Sequence, residues 1–189
     1  EPAPAGTSAG ISAGTSAGTS GEYTGLYPDV SIEHWAWTDI ERLREAGLMV
    51  GDPDGRFRPQ DAVTRAEMAM IAARWLRLEL PADAAQPQAF SDVTDDHWAA
   101  AAIFAVQREG IFKGFEDGTF RPEERLTRAQ AVVIMNRLLG REPIRTAVSP
   151  SWSDIGASHW AFGDIEEATR GHRFIFDDDG NEVRAQPAE

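Results

Sequence analysis

The sequence of 189 residues contains no cysteine, which excludes disulfide bonds and thiolate metal sites. It is also poor in positive charge, because 18 Lys and Arg stand against 31 Asp and Glu, a formal net charge of −13. A general nucleic-acid binder carries the opposite balance, since its basic side chains must neutralise phosphates. No apolar run approaches the ~20 residues of a membrane helix. We therefore predict neither a nucleic-acid partner nor a membrane span.

Residues 1–21 form a low-complexity tail of Gly, Ser, Ala and Thr. Such a composition cannot bury enough apolar surface to offset the entropy lost on ordering, so we expect a linker. An alternative is an extended arm that lies against a second copy of the chain. The chain begins with Glu1 rather than Met, and we expect that a preceding segment has been removed.

An internal repeat dominates the rest of the chain. Residues 51–67 read GDPDGRFRPQDAVTRAE, and residues 114–130 read GFEDGTFRPEERLTRAQ. Each copy predicts a tight, exposed Asp-Gly turn, a buried phenylalanine and a proline that stops regular structure. These residues are Asp54-Gly55, Phe57 and Pro59 in the first copy, and Asp117-Gly118, Phe120 and Pro122 in the second.

A helix is predicted to begin after each loop, at a capping box in which a threonine and a Glu or Gln three residues later bond reciprocally. Arg65 and Arg128 occupy the first helical position, where the helix dipole disfavours a cation by roughly 0.3–1 kcal/mol. Free amides beside a guanidinium favour binding of a carboxylate or phosphate, whereas an ion pair with a neighbouring acid is the alternative. The capping residues are Thr64, Glu67, Thr127 and Gln130.

A second motif, an Asp followed by His-Trp-Ala, occurs three times and predicts an amphipathic helix after each copy. Asp29 and Asp92 are 63 residues apart, and Asp92 and Asp154 are 62 apart. We expect Asp96 and Ser158 to cap the second and third of these helices. A glycine in the left-handed conformation is expected at each helix end. Those glycines are Gly47, Gly110 and Gly171.

The aromatic residues of this motif have two interpretations. A tryptophan at the first turn of an amphipathic helix is more often buried than used as a sugar platform, so we favour core positions for Trp35, Trp98 and Trp160. The three histidines favour a capping or packing role over a metal site, because no surrounding pattern supports a metal. No metal or cofactor is predicted.

The repeats divide the chain into the tail 1–21, a first unit (22–80), a second unit (88–143) and an incomplete third unit (150–189). The third unit lacks the loop and second helix, and a β-hairpin with strands 173–176 and 182–184 is predicted instead. The acidic turn 177–179 does not fit an EF-hand loop, and an exposed turn is favoured. Helices are predicted near 34–46, 64–77, 97–109, 127–139 and 159–170.

Together these motifs resemble the S-layer homology repeat, over residues 26 to about 170. The resemblance implies an all-α fold, with three repeats in a pseudo-threefold helical bundle. It also implies a secreted protein that binds secondary cell-wall polysaccharide at the cell surface, often through a pyruvylated sugar. Residue by residue, it implies ligand contacts at Arg65, Arg128, Asp29, Asp92, Trp35, Trp98, Gly51 and Gly114.

No set of nucleophile, base and orienting residue can be selected from the sequence, so we do not predict an enzyme. The alternative to a wall-binding module is a self-assembling subunit of an S-layer or extracellular filament. In that case the tail would join one copy to the next, forming a homo-oligomer or filament.

Overall fold

The computed structural model describes residues 27–80, 90–145, 148–171, 174–176 and 182–184. These ranges contain five α-helices and a two-stranded antiparallel ribbon in which Ile175 pairs with Val183. The prediction of a mainly helical fold with a C-terminal hairpin is confirmed, while the tail 1–21 and the acidic turn 177–179 lie outside the described residues. The elements are α1 Trp37–Glu45, α2 Arg65–Trp75, α3 Ala100–Arg108, α4 Arg128–Leu138, α5 Phe162–Thr169, β1 Phe174–Phe176 and β2 Glu182–Arg184.

The predicted capping boxes start α2 and α4. The Glu67 amide donates to Thr64 Oγ1 at 3.2 Å, and Glu67 Oε2 accepts from the Thr64 amide at 2.7 Å. Thr127 and Gln130 repeat this arrangement with distances of 3.2 and 2.9 Å. Both helices therefore begin where local capping chemistry predicts.

The other three helices begin about three residues later than predicted, and Asp96 and Ser158 do not cap them. An alanine is the N-cap residue in each case, without a side-chain cap. The preceding histidine instead closes the turn, because its Nδ1 accepts the amide of that alanine. The distances are 3.2 Å for His34, 3.1 Å for His97 and 3.2 Å for His159. The capping role predicted for the histidines is confirmed.

Two of the three glycines predicted at helix ends have the predicted left-handed conformation. Gly47 and Gly110 have φ of 69° and 72°, the left-handed region that glycine adopts without steric cost. The left-handed conformation predicted for Gly171 is wrong, because Gly171 does not have a positive φ. The C-cap residue of α5, Arg170, is already extended, with φ −95° and ψ 130°.

The second helix of one unit packs on the first helix of the next, α2 on α3 and α4 on α5. Alanines of α2 are fully buried beside larger apolar side chains, including Val93, Ile103 and Phe120. Ala161 and Ile165 of α5 pack on Val133 of α4. Small residues on one helix allow its partner to approach closely. Each of these two helix contacts has its own apolar cluster.

The first and second units are also joined by main-chain hydrogen bonds. The amides of Arg65 and Ala66 donate to the carbonyls of Glu124 and Pro122, both at 2.9 Å. The Leu126 amide returns a bond to the Val63 carbonyl at 3.1 Å. We call this pairing of residues 63–66 with 122–126 the first junction. It occupies amide groups that a helix start otherwise leaves without a backbone partner.

The third unit contains a buried polar cluster of its own, and one polar side chain joins it to α4. Glu166 is fully buried, and its carboxylate accepts from the Ser151 amide, the Ser151 hydroxyl and Arg170 Nε, all at 2.7 Å. The hydrogen bond from the Ser151 amide is the largest influence on the pKa of Glu166. Together with the hydrogen bond from Arg170 it lowers this pKa, although desolvation by burial would raise it. Asn136 of α4 donates to the Asp164 carbonyl at 2.9 Å. The bonds to Glu166 therefore stabilise the third unit internally, and the Asn136 contact supplements the smaller apolar contact between α4 and α5.

Candidate functional site

A groove of about 730 Å³ lies where the first unit meets the second. One wall is formed by the loop 48–63 and by α2. The opposite wall contains Trp98, Glu123 and Arg125 of the second unit. Gly51 and Trp98, which the resemblance assigns to the ligand site, are far apart in the chain and both line this groove.

The favoured core position of the tryptophans is wrong. Trp35, Trp98 and Trp160 are 87%, 58% and 65% exposed, whereas the alanine after the second and third of them is completely buried. The reason is that each tryptophan lies on the histidine-closed turn outside the helix, and the alanine side chain faces the interior. His97 stacks on the Trp98 ring, with centroids 5.8 Å apart, and thereby supports an exposed flat apolar surface.

Asp29 and Asp92 bind the loops of their own units. Asp29 accepts the amides of Phe57 and Arg58 at 3.0 and 2.7 Å. Asp92 accepts those of Phe120 and Arg121, both at 2.7 Å. Desolvation would raise the pKa of Asp29, but these backbone hydrogen bonds lower it overall. Both oxygens of each carboxylate are already engaged, so these two predicted ligand contacts shape the loops of their own units. Of the two loops, the one bound by Asp29 borders the groove.

Sequence reasoning missed the left-handed backbone conformation of Arg58 and Arg121, whose φ angles are 55° and 57°. A positive φ is uncommon for residues with a side chain and costs of order 1–3 kcal/mol. The Asp29 and Asp92 carboxylates bind these strained amides directly. The only sequence signal was the repetition of Phe-Arg-Pro in both loops.

Gly51 and Gly114 are needed because the loop lies directly on an aromatic ring. A Cβ at Gly51 would be 2.6 Å from Tyr27 Cε1 and 2.8 Å from the Arg56 carbonyl oxygen. A Cβ at Gly114 would overlap the Phe90 ring. Gly51 also has φ of 75°, which disfavours other residues. Gly51 thus sets the position of the groove wall, and Gly114 fixes the equivalent loop of the second unit.

Arg65 is buried rather than open to solvent, with 4% of its surface exposed. Its Nε donates to the Phe120 carbonyl at 2.6 Å, and Nη2 donates to the Lys113 carbonyl at 3.2 Å. The guanidinium carbon lies 4.6–5.6 Å from the ring centroids of Phe112, Phe115 and Phe120, an aromatic cage supplied by the second unit. Burial lowers the pKa of Arg65, although the side chain stays charged.

Arg128 occupies the same place at the start of α4, but its environment is different. Its side chain is exposed and makes no hydrogen bond or ion pair with the residues that the structure describes. The third unit has no Phe-Arg-Pro loop that could supply a cage. The two predicted anion contacts are therefore not equivalent.

The exposed loop tips carry the ion pairs of this region. Arg58 binds Asp52 at 2.8 Å and Asp54 at 3.0 Å. In the second unit the pKa of Asp117 is lowered to about 2, first by the Thr119 hydroxyl and then by Arg121. The predicted Asp-Gly turns are confirmed as equivalent exposed loops, with Gly55 and Gly118 at φ of 82° and 79°.

The described ranges contain neither a cluster of metal ligands nor a membrane-spanning helix. No group of three or more His, Asp or Glu side chains there is arranged to hold a metal ion. None of the helices in those ranges is long and apolar enough to cross a membrane. What the groove offers is an exposed indole, a glycine loop and several polar side chains.

The chain is similar to proteins of bacterial surfaces. It is 34% identical to a cellulosome-anchoring protein of Acetivibrio thermocellus over 164 residues, covering 85% of this chain and 36% of that protein. It is 31% identical to an S-layer protein of Bacillus licheniformis over 135 residues, covering 71% of this chain and 15% of that one. The chain thus spans about a third or less of these relatives.

The profile of the S-layer homology domain matches the chain twice, over residues 26–69 and 89–132. The two matches contain both Phe-Arg-Pro loops, both helix-start arginines and the first two His-Trp turns. Through these two segments, the chain belongs to the S-layer homology domain family.

Proposed function

We propose that this chain is a non-catalytic module that binds secondary cell-wall polysaccharide in the groove at the first junction and so attaches its protein to the cell wall. Its location at the cell surface, predicted from the sequence, agrees with relatives named as S-layer and cellulosome-anchoring proteins. The observation that carries the proposal is Trp98, a large aromatic side chain that is 58% exposed beside a groove.

The groove suits a sugar in three ways. The indole of Trp98 presents a flat apolar face on which the C–H face of a pyranose can pack. Acidic side chains along the groove, such as Asp61, can accept hydroxyl hydrogen bonds. The groove is also open to solvent and not an enclosed cavity, which fits an extended polymer better than a small enclosed ligand.

The other predicted contacts take different parts in this proposal. Asp29, Asp92, Gly51 and Gly114 position the loops, and Arg65 fixes the second-unit wall from inside the protein. Arg128 and Trp35 lie outside the groove lining, and both are exposed. We propose them as secondary contacts for a polymer that extends beyond the groove.

The proposal is tested by pull-down with purified cell walls. We expect Trp98→Ala to weaken binding about tenfold, because an aromatic contact is worth roughly 0.5–1.5 kcal/mol beyond its buried area. Trp160→Ala is the matched control, since Trp160 lies on the same kind of turn in the third unit and is 65% exposed.

Walls from which the polysaccharide has been removed by hydrofluoric acid provide the second control. We expect them to retain neither wild type nor variant. Equal retention of the wild type on stripped and intact walls would refute polysaccharide binding. Equal loss for Trp98→Ala and Trp160→Ala would refute the assignment to this groove.

A further inference from the structure

Arg65 is enclosed because the second unit offers a socket for its guanidinium, and the first unit contains a related surface. We use the word socket for the loop side chains that surround such a guanidinium and for the two carbonyl groups that accept its hydrogen bonds. In the second unit these are the rings of Phe112, Phe115 and Phe120 and the carbonyls of Lys113 and Phe120. At the interval of 63 residues that separates Asp29 from Asp92, the first unit has the side chains of Met49, Asp52 and Phe57 and the carbonyls of Val50 and Phe57.

The loop that carries the first-unit socket has the framework of its counterpart. The ring of Phe57 packs on Tyr27 with centroids 5.3 Å apart, the distance that also separates Phe120 from Phe90. The Asp29 carboxylate accepts the Phe57 amide at 3.0 Å and so holds the backbone of the loop. The first-unit socket is therefore in place before a partner arrives, which lowers the ordering cost of binding.

The carbonyls of the first-unit socket have no donor in the part of the chain that the structure describes. No described residue donates a hydrogen bond to the carbonyl of Val50 or Phe57. Phe57 and Met49 are only partly buried, whereas Phe120 and Phe112 are 0% and 2% exposed. The third unit contains no Thr-Arg-Ala sequence that could bring an arginine to this socket.

Arg58 does not take the place of the second guanidinium. Its Nη1 binds Asp52 at 2.8 Å, and its repeat equivalent Arg121 lies 3.8 Å from the centre of the Phe115 ring. The second-unit socket thus contacts an exposed arginine of its own loop and also encloses Arg65. By the same geometry, the first-unit socket can accept a guanidinium from elsewhere.

Arg128 is a helix-start arginine that has no socket. It follows the Thr127 capping box as Arg65 follows the Thr64 capping box, and the two threonines have nearly the same backbone angles, φ −75° and ψ 159° against φ −78° and ψ 163°. The Arg128 side chain is exposed and makes no hydrogen bond or ion pair with the described residues. The chain therefore presents an arginine in the second unit and a complementary socket in the first.

We propose that Arg128 of one copy of this chain inserts into the first-unit socket of a second copy, so that copies associate head to tail. The guanidinium donates to the carbonyls of Val50 and Phe57, as that of Arg65 does to its own socket. Asp52 adds a negative charge beside it, which strengthens such hydrogen bonds. Contacts of this kind form a ring or an open filament, according to whether the rotation closes.

The contact is small. Because α5 already covers α4 within the chain, only the start of α4 and the loop of the second copy meet. An interface of this size lies at the low end of specific protein contacts, so we expect weak association.

This inference concerns a protein partner and goes beyond the proposed function. Met49, Asp52 and Phe57 also line the groove, so a polysaccharide and a second copy would compete for the same wall. Self-association is therefore measured without polysaccharide. Its failure would leave the proposed polysaccharide binding untouched.

Sedimentation velocity over a range of protein concentrations tests the proposal. The proteins are wild type, Arg128→Ala, Asp52→Arg and Arg108→Ala. Asp52→Arg places a cation where, in the second unit, the Phe115 ring lies 4.7 Å from the Arg65 guanidinium, so it repels an incoming arginine. Arg108→Ala is the matched control, because Arg108 is exposed in the last turn of α3 and belongs to neither the socket nor the start of α4.

We expect the sedimentation coefficient of wild type to rise with concentration, and Arg108→Ala to behave in the same way. Arg128→Ala and Asp52→Arg should each associate about tenfold to a hundredfold more weakly, the range for one hydrogen-bonded charge. An equimolar mixture of these two variants should form dimers and nothing larger. The reason is that only the intact arginine of one variant and the intact socket of the other can meet.

A wild type that stays monomeric at the highest concentration would overturn the proposal. Association of Arg128→Ala equal to that of wild type would also overturn it, as would a mixture of the two variants that forms no dimer. An equal loss in Arg108→Ala would show that net charge, and not the socket, controls association. Thermal melting of each variant confirms that the fold is intact, and Arg128→Ala alone decides the outcome if Asp52→Arg does not fold.

Discussion

Arg65 and Arg128 stand at the same position of the same motif, yet one is enclosed and the other is exposed. The difference lies in the unit that follows. The second unit supplies an aromatic cage and two carbonyl acceptors for Arg65. The third unit lacks the corresponding loop, so Arg128 remains in solvent. The function of a repeated residue is therefore decided by its neighbour in space as well as by its own motif.

The largest expected effect separates the two arginines directly. Arg65→Ala removes two hydrogen bonds and the contact with the aromatic cage, so we expect the free energy of unfolding to fall by about 2–4 kcal/mol. Arg128→Ala should change it by less than about 0.5 kcal/mol, as for other exposed substitutions. Urea unfolding followed by circular dichroism measures both. Equal changes in the free energy of unfolding would show that the unit that follows makes no difference to the two arginines.

A smaller effect is expected at the aspartates that begin each unit. Asp92→Asn replaces one acceptor of a loop amide by a donor, and we expect a loss of about 1–2 kcal/mol in the free energy of unfolding. Asp154, the counterpart in the third unit, has no such loop to bind and is exposed. Asp154→Asn should therefore be nearly neutral. A loss at Asp154 as large as at Asp92 would contradict this difference between the units.

The smallest effect is a contribution to acid sensitivity from the second-unit loop. The Asp117 pKa of about 2 lies below the ordinary value of about 3.9 for an unfolded chain. A lowered pKa in the folded state contributes stability that is present above pH 4 and is lost as pH falls toward 2. Asp117→Asn should flatten stability in this window. An unchanged pH profile would mean that the contacts of Asp117 with Thr119 and Arg121 contribute nothing to stability.

The sequence predicted best what depends on neighbouring residues. The capping boxes at Thr64 and Thr127 were predictable because their partners lie three residues away. The starts of α1, α3 and α5 were placed too early, because in each a histidine ring accepts the amide of the N-cap alanine. For α3 and α5, side-chain caps at Asp96 and Ser158 were expected instead. The hairpin strands were predictable as two short segments on either side of the Asp179-Gly180 pair.

The candidate site was harder to predict, because its residues come from different units. Arg65 meets Phe120 across 55 positions of the chain, so its burial could not be inferred from its own motif. The exposure of Trp98 depends on which residue of a three-residue turn faces the interior. Gly51 and Trp98 were placed in the site by resemblance, and geometry adds Arg125, which the repeat does not share because Ala62 stands in its place.

Nuclear magnetic resonance of the tryptophan indoles tests the central claim most directly. The chain has six tryptophans, and their indole N–H signals can be followed while a soluble cell-wall polysaccharide fragment is added. We predict that the Trp98 signal moves in a saturable way, while the Trp160 signal, on the equivalent turn of the third unit, stays in place. Binding of the fragment without movement of Trp98, or with equal movement of both signals, would contradict a ligand site at the first junction.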